Sequence, residues 1–153
     1  MSNAATQELI ASTYQPIADR ILSGSPGEIA LVCLRFDDAV YRVAAYAGDF
    51  PVDLISNLDF RAEEGGTGGS VATTGKPRLI NDYLVDMADS PFVETGKKVG
   101  VRSIVNAACG PAGDVVAVLY VMSRTPNRLT EQDMLTLVAQ AKIADVAIRL
   151  AQR

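Results

Sequence analysis

The chain contains no histidine and no tryptophan among its 153 residues, and only two cysteines, Cys33 and Cys109. Without histidine no side chain has an ordinary pKa near neutrality, and the commonest metal ligand is missing. Histidine-ligated haem, catalytic triads that use histidine and most zinc sites are thereby excluded. The two thiols sit far apart in sequence, each inside an apolar, β-like run. That usage suits buried thiols in a reducing compartment better than a disulfide framework.

Basic character is equally sparse. The formal net charge is −4 and no Lys/Arg cluster is longer than Lys97-Lys98, so the electrostatic footprint of nucleic-acid binding is absent. The longest apolar runs, such as DVVAVLYVM, are far too short to cross a bilayer, and no charged-then-apolar leader opens the chain. The expectation is a cytoplasmic protein with neither nucleic acid nor membrane as partner. Ser2-Asn3-Ala4 reads as a cloning remnant or as native residues, and no function is attached to it.

Hydrophobic residues make up 48% of the chain and charged ones 21%, which places it with folded globular sequences rather than disordered ones. Its length suits one domain spanning residues 1–153. Leu9, Ile10, Thr13, Tyr14, Ile17, Ile21 and Leu22 recur at spacings of three and four, predicting an amphipathic helix over 5–23 that ends at Gly24. EIALVCLRF (28–36) and AVYRVAAYAG (39–48), joined at Asp37-Asp38, predict a hairpin. VRSIVNAAC (101–109) and DVVAVLYVMS (114–123), joined by GPAG, predict a second. Between them lie a short helix and short strand after Pro51, a glycine-rich stretch, and a loop with a short helix around 91–98.

The C-terminal helix carries its own start signal. The Thr130 hydroxyl can accept from the Asp133 backbone N–H, and the Asp133 carboxylate favours the positive end of the helix dipole. Leu129 and Met134 occupy the positions of a hydrophobic staple. Met134, Leu135, Val138, Ala141, Ile143, Ala144, Ala147, Ile148 and Ala151 then form a broad apolar face, of which Met134, Leu135, Val138, Ala141 and Ile148 are candidates for a homodimer interface.

The stretch GGTGGSVATTGKPRLIND (65–82) holds five of the twelve glycines. It is not a P-loop, because Lys76 is followed by Pro77, which offers neither N–H nor hydroxyl. No parallel βαβ unit precedes it, so a dinucleotide fingerprint fails as well. Two readings stay open. The glycines permit a tight reversal, with Ser70 or Thr67 capping a helix that runs to Thr74 and stops at Gly75 before a strand starting at Pro77. Alternatively, backbone N–H groups at that helix start contact an anionic ligand.

This stretch, followed by GVRSIVNAACGPAGDVVAVLYVMSRTPNRLTEQDMLTLVAQAKIADVAI, resembles the core of a GAF domain over about residues 60–148. The resemblance implies an α+β fold of the profilin/PAS-like kind: a central antiparallel sheet, N- and C-terminal helices on one face, and short helices and loops enclosing a ligand cavity on the other. Ala108 and Ala117 depart from the family pattern, where proline and glycine are frequent. The free methionine sulfoxide reductases of the family depend on cysteines near the glycine turn, and no cysteine occurs between Arg35 and Ala108 here. Bilin carriers use a cysteine beside a histidine, so no bilin is expected, and the Asn-Lys-x-Phe…Asp-Glu signature of cyclic-nucleotide members is absent.

The candidate ligand-binding residues are Arg35, Thr67, Ser70, Asp82, Tyr83, Arg102 and Ser103, at the expected rim and floor of the cavity. Each arginine can meet an anionic ligand or form an ordinary strand-end ion pair, and Asp82 can equally cap its loop. The resemblance implies a non-catalytic regulatory domain that senses an unidentified small molecule in the cavity and signals through the terminal helices. The alternative is a ligand-free dimerisation or scaffold module.

Overall fold

The computed structural model describes residues 3–153, so Ser2 of the Ser-Asn-Ala leader lies outside it, and the side chain of Asn3 is not described. The first helix is one rod in three parts: α1 (Asn3–Leu9), a π turn over Ile10–Tyr14, and α2 (Gln15–Ser23). The wide turn coincides with Pro16. Proline has no N–H and its ring crowds the carbonyl four residues back, and a π turn accommodates both by closing from Gln15 N–H to Ile10 O. Tyr14, buried within that turn, shares a hydrogen bond with Gln152 near the other end of the chain, and burial pushes its phenol upward in pKa.

Five antiparallel strands follow the expected hairpins: β1 (Ile29–Arg35), β2 (Tyr41–Gly48), β3 (Arg78–Ile80), β4 (Ser103–Cys109) and β5 (Ala117–Ser123), in the order β2-β1-β5-β4-β3. A bulge opposite Val32 and Cys33 places Ala44 out of register. The second hairpin is shorter than the sequence suggests. Val101 N–H closes back on Gly96 O, and Arg102 divides its backbone, donating its N–H to Ser123 O of β5 while its carbonyl accepts from Tyr83 N–H of the segment above the sheet.

Strand alternation divides the core into two layers. Ala30, Val32, Val105, Ala107, Leu119 and Val121 face α2 and the C-terminal helix α6 (Glu131–Ala151). Ile29, Leu31, Cys33, Ile104, Val118 and Met122 face the other way, toward α3 (Gly66–Thr74), α4 (Tyr83–Asp86), α5 (Val93–Val99) and two 3-10 turns at Val52–Leu58 and Ala62–Glu64. The terminal helices thus cover one face and the irregular middle the other, as an α+β fold of this layout requires.

Helix α6 begins as its sequence announces. Asp133 N–H donates to Thr130 Oγ1 at 3.3 Å and Thr130 N–H to Asp133 Oδ2 at 2.8 Å, a reciprocal capping box. Its inward side is narrower than the apolar pattern suggested: Leu137, Ala141, Ala144 and Ile148 are buried, at helical spacing. Two residues expected at a dimer interface are therefore corrected. Ala141 and Ile148 are buried inside the chain's own helix–sheet core, while Met134 and Val138 are half-buried against the same core. Leu135 alone of that set is freely exposed.

The start of α3 is a second correction. Its N-cap is Gly65, at φ 81°, and neither Thr67 nor Ser70 caps it; both lie within the helix. The far end is as expected, with Gly75 at φ 70° in the left-handed region and its N–H closing on Val71 O.

Candidate functional site

Between the sheet and its irregular cover lies a cavity of about 60 Å³. Its floor is built by alternate residues of three strands: Leu31 and Cys33 of β1, Ile104 of β4, Tyr120 and Met122 of β5. Phe50, Leu58 and Phe60 wall one side, Thr67 and Gly68 of α3 another, and Tyr83, Phe92, Gly96 and Val99 close the top. The aromatic side chains are fixed against one another. Tyr41 stacks on Phe60 at 4.9 Å, Phe60 meets the edge of Phe92 at 6.5 Å, and the Tyr41 hydroxyl donates to Val115 O at 2.7 Å.

Gly68 has to be glycine for this packing. A Cβ there would overlap the Tyr120 hydroxyl and lie 2.7 Å from the Phe60 ring. The helix therefore approaches β5 through its glycine side, and the Tyr120 hydroxyl, hydrogen-bonded to Thr67, fills the notch. Burial pushes that phenol far up in pKa, keeping it neutral. The glycine stretch accordingly forms the wall of a cavity.

The top is tied down at both ends. Tyr83 Oη and Ser90 Oγ are 3.3 Å apart, and Ser90 Oγ also accepts from Phe92 N–H at 3.2 Å, setting the start of α5. At its other end Arg124 donates to Val99 O at 3.0 Å and to Asp49 O at 2.7 Å, bridging α5 to the loop after β2.

No residue of the cavity wall carries a charge. Of the sequence-derived candidates, Thr67 and Tyr83 line it; the others do not. Arg102 forms a bidentate pair with Asp82 (Nε to Oδ1 2.8 Å, Nη2 to Oδ2 2.7 Å) that holds the start of α4 to the start of β4. Ser103 is fully buried and donates to Thr125 O at 3.0 Å. Arg35 lies at the opposite end of the sheet with Asp114, which also binds Arg149. Ser70 accepts the Thr74 hydroxyl on its carbonyl at 2.9 Å.

Sequence reasoning missed the floor, because Leu31, Cys33, Ile104 and Met122 look like any alternating core residues. It also passed over Asn106, a lone amide in the apolar run SIVNAAC. Asn106 is completely buried, and neither its Nδ2 nor its Oδ1 has a hydrogen-bond partner among the described residues. Each such unpaired group costs about 1–3 kcal/mol. Lying between Ile104 and Ala108, it faces the cavity side of the sheet.

The two thiols cannot meet. Cys33 faces the cavity layer and Cys109 the helix layer. Burial pushes both thiols up, Cys109 to about 12 with a further push from Asp145, so neither offers a reactive thiolate near neutral pH. Among the described residues no group of acidic or thiol side chains could hold a metal ion, and no helix is long and apolar enough to cross a membrane.

The surface ion pairs give the domain an acid-side signature. Arg102 holds the Asp82 carboxyl below its usual range, Arg149 and Arg35 do the same for Asp114, and Arg42 brings Asp38 to about 2. A carboxylate with a depressed folded pKa contributes stability above its unfolded value, near 4, and loses it as pH falls through the folded value. Asp59, raised by burial, acts in the opposite sense. The melting temperature should stay level from pH 7 to 5 and fall below about pH 4, with Arg102→Gln flattening part of the fall; an unchanged melting temperature at pH 3 would contradict it.

No protein-family model matches the sequence, and no curated protein matches it. Solved structures do match. The GAF domain region of a membrane protein from Geobacter sulfurreducens PCA superposes with a TM-score of 0.75 at 20% identity, covering 95% of each chain. A far-red cyanobacteriochrome photoreceptor gives 0.73 at 16%, over 92% of this chain and 86% of that one. The GAF domain of a phosphoenolpyruvate-protein phosphotransferase from Coxiella burnetii gives 0.71 at 16%, over 99% and 97%. With near-complete coverage at TM-scores of 0.75 and 0.71 to GAF domains, the chain has the fold of a GAF domain.

Proposed function

We propose that this domain is a regulatory sensor of a small uncharged molecule, held between the sheet and the segment from about residue 50 to 101. The observation that carries the reading is the cavity itself: a space between sheet and cover with a wholly uncharged wall, one side of which Gly68 forms. A charge brought into such a wall would lose its hydration without compensation, so the anionic ligand that Arg102 suggested is replaced by a neutral one. About 60 Å³ exceeds the roughly 10–15 Å³ that one water needs, yet falls below the 300–1,000 Å³ of drug-sized pockets. The occupant is either small or displaces the cover that bears Phe92. In the second case the floor strands, which also carry α2 and α6 on their other face, pass the change to the terminal helices, provided the ligand favours one arrangement over the other.

Catalysis has no support in this geometry, since the cavity offers one buried thiol and no charged acid–base pair. Native mass spectrometry of the purified protein, followed by denaturing extraction, tests the sensor directly. A retained neutral molecule, with its mass recovered after denaturation, is the expected result. Retention of an anion would overturn the neutral-ligand reading.

A second reading is favoured by one specific observation. Of the seven large hydrophobic side chains that are exposed among the described residues, four lie on α6: Leu135, Ile143, Val146 and Leu150. Ile143 and Leu150 also line a groove of about 490 Å³ between the N-terminal helix and α6, together with Ile17, Ala147 and Ala151 and, at its polar side, Arg20 and Gln140. A homodimer through this helical face serves a sensor and a ligand-free scaffold alike.

A further inference from the structure

We propose that the carboxamide of Asn106 is the polar anchor of the cavity, and that the ligand carries a hydrogen-bond donor directly beside an acceptor on a flat uncharged frame, as a lactam does. This rests on the reading of the cavity as a ligand site. A carboxamide presents an acceptor and a donor side by side in one plane, and its geometric complement is the N–H/C=O edge of a cis amide. Asn106 holds both groups unpaired at a fully buried position, where native proteins seldom leave even one.

Its position ties it to the cavity. Directly across the ladder stands Tyr120, and two residues along its own strand stands Ile104; both line the cavity. Helix α3, which brings Gly68 against Tyr120, packs over both β4 and β5. Asn106 therefore lies one cross-strand step behind the wall, and a ligand in the cavity reaches it where the Tyr120 ring turns aside. The other polar groups nearby are already occupied. Tyr120 pairs with Thr67, Tyr83 with Ser90, and Arg78, the cross-strand neighbour on β3, directs its guanidinium to the Met87 sulfur at 3.9 Å. Ile104 and Ala108, its neighbours along the strand face, bring no polar group to it from their side chains.

The test uses three probes of similar size on isotopically labelled protein: 2-pyridone, which has the N–H/C=O edge; N-methyl-2-pyridone, which lacks the donor; and toluene, which has neither. The expected result is saturable binding of 2-pyridone that shifts the Asn106 side-chain amide resonance, with N-methyl-2-pyridone at least tenfold weaker. Asn106→Leu should bind 2-pyridone at least tenfold more weakly and toluene as well as the wild type does. If 2-pyridone and toluene bind wild type and variant alike, the cavity is a ligand site and the anchor is refuted. If no probe binds the wild type, the cavity reading falls and the anchor with it. Should Asn106→Leu fail to fold, the comparison of the two pyridones on the wild type decides alone.

Discussion

Gly68→Ala should destabilise the domain by about 1–3 kcal/mol, the usual cost of overpacking a filled interior. For a chain of this size that is a fall of about 3–10 °C in melting temperature. The sign is informative because helix propensity pulls the other way. Gly68 lies inside α3, and alanine at an unobstructed helix position gains up to about 1 kcal/mol over glycine. Only the collision of the new methyl with the Tyr120 hydroxyl and the Phe60 ring turns that gain into a loss. Both obstructing groups line the cavity, and Phe60 is held by its stack on Tyr41 and its paired backbone bonds to that residue, so little room exists for retreat. Any ligand found by extraction should bind the variant at least tenfold more weakly. A more stable Gly68→Ala protein with unchanged binding would mean that α3 does not sit this close to β5, and the cavity would lose its defining wall.

The same glycine illustrates which parts of the molecule were legible in the sequence. Local chemistry read well: Thr130 with Asp133 starts α6, Gly75 stops α3, and the hairpins sit where β-branched runs flank turn residues. These features depend on groups within a few positions of one another. The candidate site read poorly because its residue types mislead in opposite directions. Arg102 and Asp82 carry the charges that suggest binding, yet they satisfy each other in a bidentate pair. Leu31, Cys33, Ile104 and Met122 carry no signal at all, because a strand residue facing a cavity and one facing packed core obey the same alternation. Asn106 did carry a signal, an amide within seven strand residues that are otherwise apolar save for Ser103. Its significance required knowing that the face it occupies is sealed. The apolar pattern of α6 failed differently: a helix with hydrophobic residues on more than one side does not say which side meets its own sheet.

That ambiguity sets the second large effect. On α6 the stripe Leu137, Ala141, Ala144 and Ile148 faces inward, and Leu137→Ala should cost about 2–5 kcal/mol, as for other fully buried leucines. The outward stripe should behave in the opposite manner. Ile143 is 62% exposed and Leu150 56%, so glutamate at either position changes monomer stability by no more than about 0.5 kcal/mol. If the outward stripe is a dimer interface, each substitution places a charge at the apolar centre of two facing helices. Losses of 2 kcal/mol or more are usual when a central apolar contact is removed, about 30-fold in the dissociation constant. Light scattering over a concentration series should show a dimer for the wild type and a monomer for Ile143→Glu and Leu150→Glu, with melting curves of the two variants retaining a cooperative transition. Met134→Glu is not an equivalent probe, because that side chain packs against the core and its loss confounds folding with assembly. A wild type that remains monomeric at every concentration would leave the stripe without a second copy as its partner, and the ligand cavity would then be the sole support for a signalling role.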